Sequence, residues 1–332
     1  MVRDLLKTYW DIEVDRVEFL EQATASCFRV FSGEGSYFLK RFQRSFSPEK
    51  AVLDAKICKI LCEHHVRASE ILETVSGESF AQAHGHIWQL QRFSSGIALA
   101  QNAAEEDLIC RASAYLAQIH CVLKEEKLPL LFDRAWFEKF DKEKYMAYYR
   151  ETLVWAKKAK IEDVLREKIE NDVLFSMELT EKMPLFAECF QNVTLVSSHG
   201  DYTPSQLLCA NGKIVRIVDF ANVHTVPAAW ELMRFYYLAS SDIGGCASFC
   251  MPRFQNYLRS YLRIYPLTAA DLENMLYMFL YYMGRNRFLY RSFLENGDEL
   301  SLRESERKMA FCRYLCDHMD AFLSDMRGLS NT

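Results

Sequence analysis

Two aspartates stand where this sequence could do chemistry. Asp201 lies on a short polar loop behind His199 and Gly200, and Asp219 follows eighteen residues later at the end of an apolar run. The stretch from Val193 to Phe220 is expected to form strand, tight turn, polar loop, strand, turn and strand. Val193, Leu195 and Val196 make the first run, and Leu207 and Leu208 the second. Ile214, Val215, Ile217 and Val218 make the third and are expected to pair with them. Ala210-Asn211-Gly212-Lys213 is a hairpin turn, because Asn-Gly accepts positive φ. Both carboxylates then sit at the ends of paired strands, close in space. Such a pair suits phosphoryl transfer. One carboxylate orients a hydroxyl and takes its proton, while the other holds the magnesium that neutralises phosphates.

His199-Gly200-Asp201, then Gln206 five positions on, then Val218-Asp219-Phe220, resemble the catalytic centre of the aminoglycoside-phosphotransferase-like kinases. Within that superfamily the chain most resembles the spore-coat protein S branch of spore-forming bacteria. The resemblance implies an α+β, two-lobed protein-kinase-like fold. Its small antiparallel-sheet lobe would cover 1–92, its hinge 93–96 and its mainly helical lobe 97–332. It also implies ATP and Mg²⁺ as cofactors. Asp201 would be the base, with His199 ordering its loop by hydrogen bonding, and Gln206 and Asp219 would hold the metal. Gln206 stands where the family has Asn, which keeps the carbonyl oxygen on a longer arm.

The elements ahead of this centre follow from local pattern. Val2 to Tyr9 is a short helix and Arg16 to Gln22 a first strand. Cys27 to Ser32 and Ser36 to Phe42 are two more, joined by the Gly33-Glu34-Gly35 turn. Alternation puts Tyr37, Leu39 and Arg41 on one face, and Phe38, Lys40 and Phe42 on the other. The resemblance makes Lys40 the phosphate-binding lysine. Ser47-Pro48-Glu49 opens a helix running to about Glu63, since Ser caps, Pro fits the first position and an acid suits the dipole. On this helix the family carries a Glu that pairs with the lysine. Asp54 occupies that place here, one methylene shorter, and Glu49 is the fallback. The turn over the nucleotide would lie in Gln22 to Cys27. It has no glycine, so Thr24 and Ser26 would serve instead. After a hairpin about His84-Gly85, the strand His86 to Phe93 leads into the hinge, where backbone near Gln91 to Phe93 would read the adenine edge.

Beyond the hinge, Glu105 to Leu123 is an amphipathic helix carrying His120, which is expected to be a satisfied structural histidine. Trp136 to Val173 is a long helical region whose interleaved Lys and Glu over 157–168 form a solvated face. Phe175 to Cys189 stays helical, with an interruption at Pro184. Ala229 to Ser240, Ala269 to Phe293 and Ser301 to Met326 are further helices. Glu231 occupies the slot of an acid that braces the catalytic turn in the family. The apolar run Met275 to Met283 is too short to span a membrane and is expected in the core.

Composition narrows the function. With 332 residues, 50% hydrophobic, and a net charge of −5 from mixed signs, the chain has no feature of a nucleic-acid or anionic-membrane binder. No apolar leader follows Met1, so its 11 cysteines are expected to be reduced and intracellular. The pairs Cys58/Cys62, Cys246/Cys250 and Cys312/Cys316 are one helical turn apart and lack the partners of a zinc site. The acids Glu295, Asp298, Glu299, Glu304 and Glu306 are expected on a solvated face and not in a pocket for a polycation. The expected activity is transfer of the ATP γ-phosphate to a hydroxyl of a small molecule. A degenerate kinase that serves as a structural partner of other spore-coat proteins is the alternative.

Overall fold

In the computed structural model, which describes residues 1–20, 25–128, 130, 136, 138, 140–243, 249–285 and 288–330, the chain opens with helix α1 (Val2–Trp10). Strands β1 (Arg16–Leu20), β2 (Ala25–Ser32) and β3 (Gly35–Phe42) follow, then α2 (Pro48–Glu63). Next come β4 (Ile71–Leu72), β5 (Ala81–Ala83), β6 (His86–Arg92) and β7 (Ile97–Ala98). Helices α3 (Glu106–Glu125), α4 (Lys142–Lys158) and α5 (Asp163–Glu188) lead to β8 (Leu195–Ser198), β9 (Leu207–Ala210), β10 (Lys213–Ile217) and β11 (His224–Pro227). The rest is helical: α6 (Ala228–Ala239), α7 (Met251–Leu262), α8 (Ala269–Arg285), α9 (Phe288–Asn296), α10 (Glu299–Asp317) and α11 (Met319–Ser330). The class is α+β, as expected.

Contacts divide the chain into two units. The first comprises Met1–Ala100, Arg111–Leu131 and Ser197–Thr225, and the second Gln101–Cys110, Phe132–Val196 and Val226–Thr332.

In the first unit an antiparallel sheet runs β1-β2-β3-β6-β4, with β5 on β6. The alternation expected along β3 holds. Tyr37 and Leu39 join Trp88 and Leu90 of β6 and pack on Leu5, Leu6 and Trp10 of α1. The opposite face sends Phe42 against Ala51 of α2 and Ile87. Lys40 therefore projects from the face that α2 shares. Helix α2 starts where the sequence says it must, with the Ser47 hydroxyl accepting the Lys50 N–H and Pro48 in the first turn. The β9–β10 hairpin turns at Asn211 and Gly212, with φ of 51° and 67°, and β7 adds to β9. The first run of the Val193–Phe220 stretch departs from expectation, because β8 pairs with β11 and not with β9. The polar loop after β8 redirects the chain, so sequence neighbours are not ladder neighbours.

The second unit is helical. The apolar run of α8 is core: Met275, Leu276, Met278, Phe279, Leu280 and Tyr281 are all fully buried. No helix among the described residues is long and apolar enough to cross a membrane. The long helical region expected from Trp136 to Val173 contains α4 and the start of α5. Ala159 turns extended (ψ 143°), and Arg166 holds the joint by donating to the Ala156, Ala159 and Ile161 carbonyls. Conversely, α5 runs straight through Pro184. The proline removes one hydrogen bond, while buried Leu179, Met183 and Phe186 hold the turns on both sides. The last helix breaks at His318, and what joins Arg285 to Phe288 lies outside the described residues, as does Cys246. Burial pushes the Cys58 thiol up, and that of Cys312 up to about 12. The acidic stretch has structural partners. Asp298 caps α10, while Glu295, Glu304 and Glu306 meet Arg291, Arg307 and Lys168.

Candidate active site

The loop after β8 is built around a buried histidine. His199 Nε2 donates to the Val218 carbonyl at 2.9 Å, and its Nδ1 accepts the Asp201 N–H at 3.3 Å. These partners require the neutral Nε2–H tautomer. One imidazole thus ties the Asp201 backbone to the residue just before Asp219. Tyr202, fully buried, donates its hydroxyl to the Ala112 carbonyl of α3 at 2.8 Å. His120 of the same helix bonds the Ser198 hydroxyl at 2.6 Å. Gly200, at φ +77°, passes so close to the next turn that a Cβ would lie 1.9 Å from the Asn222 carbonyl oxygen. The loop is held from three sides, and its glycine is obligatory.

Gln206 ends the short turn Pro204–Gln206. Its backbone N–H donates to the Thr203 carbonyl, and its own carbonyl accepts the Val218 N–H at 2.9 Å. Asp219 sits next to that clamp in the left-handed region, φ 67° and ψ 60°. A non-glycine residue in that region costs about 1–3 kcal/mol and persists only where its surroundings over-determine it. Phe220 behind it is fully buried and lies 4.5 Å from the His199 ring.

Lys40 reaches this turn. Its Nζ lies 2.9 Å from Asp219 Oδ1, and the side chains are 12% and 28% exposed. Asp54 is not its ion-pair partner. The Asp54 carboxyl is buried on α2, with the Cys58 thiol 3.9 Å from its Oδ1 and the Gln89 amide and the Phe220 N–H favouring its charged form. Burial raises its pKa to about 6, and the field of Lys40 opposes that rise. The lysine's ion-pair partner is Asp219. Glu49 stays a charge on the exposed first turn, bonding Ser47 and its own backbone.

Lys40, Asp201, Gln206 and Asp219 line one cavity of about 410 Å³ together with Ser45, Ser47 and Lys50. A second cavity, about 640 Å³, shares Lys40, Gln206 and Asp219 and extends to Gln91 and Phe93. Leu20, Phe38, Leu208 and Val218 are its apolar lining. Ser26 belongs to neither. It pairs with Arg41 in the sheet register, and its hydroxyl accepts from Arg41 at 2.7 Å, so it points to the face opposite Lys40. Thr24 lies outside the described residues. Glu231 is buried in the first turn of α6, in the second unit. Ser69 and Arg216 also line the larger cavity, and sequence reasoning passed over both. The available signal was a charged residue in the middle of the apolar strand Lys213 to Val218.

Among the described residues, no three His, Cys, Asp or Glu groups converge as a ready-made metal cage. The Asp219 carboxylate and Gln206 carboxamide are two hard oxygen donors on shared walls. That donor set fits magnesium, which takes one or two protein oxygens and completes its shell with water and substrate phosphates.

Comparison with known proteins adds to this geometry. No curated protein matches the chain. A spectinomycin phosphotransferase solved with ADP and spectinomycin is similar over 100% of this chain and 98% of its own, at 14% identity and TM-score 0.63. An amicoumacin kinase solved with AMP-PNP and Ca²⁺ covers 95% and 92%, at 12% identity and TM-score 0.65. A microcompartment-associated aminopropanol kinase covers 99% of each, at 13% identity and TM-score 0.63. At such identities these likenesses show the kinase-like fold. A model of the phosphotransferase enzyme family matches residues 17–273, most of the 332-residue chain, so the chain belongs to that family.

Proposed function

We propose that this protein transfers the terminal phosphoryl group of a purine nucleoside triphosphate, ATP being the donor implied by the family resemblance, to a hydroxyl of a small molecule. The observation that carries this reading is the convergence of Lys40, Asp201, Gln206 and Asp219 on one cavity in a chain of the phosphotransferase family. Asp201 orients the acceptor hydroxyl and takes its proton as the new phosphate bond forms. His199 holds the Asp201 backbone in place for that step through its Nδ1. Lys40 supplies a fixed positive charge for the phosphate oxygens, and its contact with Asp219 pre-positions both groups. Gln206 and Asp219 would hold magnesium, which when bound neutralises and orients the phosphates. The nucleotide base would lie between Phe38 and Val218, near Gln91 and Phe93. Solved relatives named for spectinomycin, amicoumacin and aminopropanol support a small hydroxyl-bearing acceptor.

A specific observation also favours a second reading. Asp54 does not reach Lys40, and Gln206 replaces the Asn of the resembled motif. Together they suit a degenerate kinase acting as a component of an assembly, for which the spore-coat protein S resemblance names the spore coat. The two readings separate in one assay, in which a panel of small alcohols, amino alcohols and sugars is incubated with γ-labelled ATP or GTP and Mg²⁺. Label transferred to an acceptor, or nucleotide hydrolysed with water as acceptor, supports the enzyme. Neither transfer nor hydrolysis supports the scaffold. In the enzyme, Lys40→Met is expected to weaken nucleotide affinity roughly 10- to 100-fold, the range for losing a hydrogen bond to a charged group. Titration calorimetry checks this, and unchanged affinity would remove Lys40 from the site.

A further inference from the structure

We infer that Arg216 selects the purine, so that the nucleotide cavity favours a 6-oxo base such as guanine over adenine. The inference rests on the phosphotransferase reading and deepens it.

Arg216 lies on β10 opposite Leu208, and both side chains line the larger cavity. Asp219 and Gln206 also line the smaller cavity, which holds Asp201, and are taken as the phosphate end. Val218 follows Arg216 by two residues, so at about 3.4 Å per residue Arg216 stands roughly 7 Å farther along the strand, away from the phosphate end. That is where the edge of a base would lie if its face rested on Leu208 and Val218. Arg216, Ser69 and Gln91 line this cavity together with the polar residues Arg92, Ser94 and Ser205.

The guanidinium is only partly satisfied. Its Nη1 donates to the Ala68 carbonyl at 2.7 Å, its Nε is buried without a hydrogen-bond partner, and it forms no salt bridge among the described residues. A cation without an ion pair beside a cavity has donors to offer and no acceptor. The ligand edge that answers it must carry acceptors. Guanine presents O6 and N7 side by side, the pair that arginine recognises most often, whereas adenine replaces O6 with an amino donor. Facing adenine, the guanidinium would oppose one donor with another. Gln91, a neutral amide, donates one Nε2–H to Gln89 Oε1, so of Arg216, Ser69 and Gln91 the charged group is Arg216.

The test is titration calorimetry of the full-length protein with the Mg²⁺ complexes of GTP, ITP and ATP, repeated with Arg216→Met. ITP keeps O6 and N7 but lacks the 2-amino group of guanine, so it isolates the atoms at issue without any substitution. The expected result is that GTP and ITP each bind roughly tenfold or more tightly than ATP. Arg216→Met should bring all three to similar affinity. ATP binding as tightly as ITP in the unaltered protein overturns the inference and leaves the phosphotransferase reading intact. So does a preference confined to GTP, or one that survives in a folded Arg216→Met protein. If no nucleotide binds, both fall. Should the variant not fold, the ranking of ITP against ATP decides alone.

Discussion

Asp201→Asn is expected to lower turnover by about 10²- to 10⁴-fold, the usual contribution of a positioned general base, while leaving nucleotide affinity close to that of the unaltered protein. The substitution keeps the shape of the side chain and removes its charge together with its ability to take a proton. Because the bond to His199 Nδ1 comes from the Asp201 N–H, which Asn keeps, the loop retains that brace. Steady-state hydrolysis of nucleoside triphosphate, with water as acceptor, gives a readout that is independent of the natural acceptor. A variant that turns over as fast as the parent shows that Asp201 is not the base.

Gly200→Ala should be the most damaging single methyl in the loop after β8. The added Cβ would lie 1.9 Å from the Asn222 carbonyl oxygen and 2.4 Å from His224 Nδ1, at a backbone φ of +77°. Neither neighbour is the free end of a long side chain, so the loop itself must move. A destabilisation of about 3 kcal/mol or more is expected, from steric overlap added to left-handed strain. Calorimetry should show it as a melting temperature lowered by roughly 5 °C or more. Gly212→Ala is the control. Its φ is +67°, but nothing lies within 4 Å of the new methyl, so it tests strain without overlap. Equal losses in the two variants would mean that the close packing of the loop is not what holds it.

Where local chemistry is sufficient, this protein is legible in its sequence. Asn211-Gly212 turns a hairpin because it accepts positive φ, and Ser47-Pro48 starts α2 because one caps and the other needs no N–H. The 201/219 pair of carboxylates was visible for the same reason, since strand and turn signals bring each to a chain reversal. What escaped depends on partners far away in sequence. The pairing of β8 with β11, the passage of α5 through Pro184 and the break at His318 are decided by packing and not by propensity. Side-chain partnership escaped as well. Asp54 stands at the position expected to serve Lys40, yet the lysine pairs with Asp219 and the Asp54 carboxyl stays buried on α2. Ser26 falls on the wrong face by one residue, the penalty of a period of two. Arg216 went unweighed because its strand was valued for its apolar residues.

The central claim is that this site binds a magnesium–nucleotide complex through Asp219. The direct measurement is the thermal shift of the purified protein with Mg²⁺ and either ATP or GTP, alongside Asp219→Asn. A nucleotide at about 100 times its dissociation constant stabilises by about 2.7 kcal/mol, a rise of roughly 5 °C. That rise is expected for the parent with at least one nucleotide, dependent on Mg²⁺, together with its loss in Asp219→Asn. No shift in the parent at millimolar nucleotide, or an equal shift in the variant, contradicts the claim.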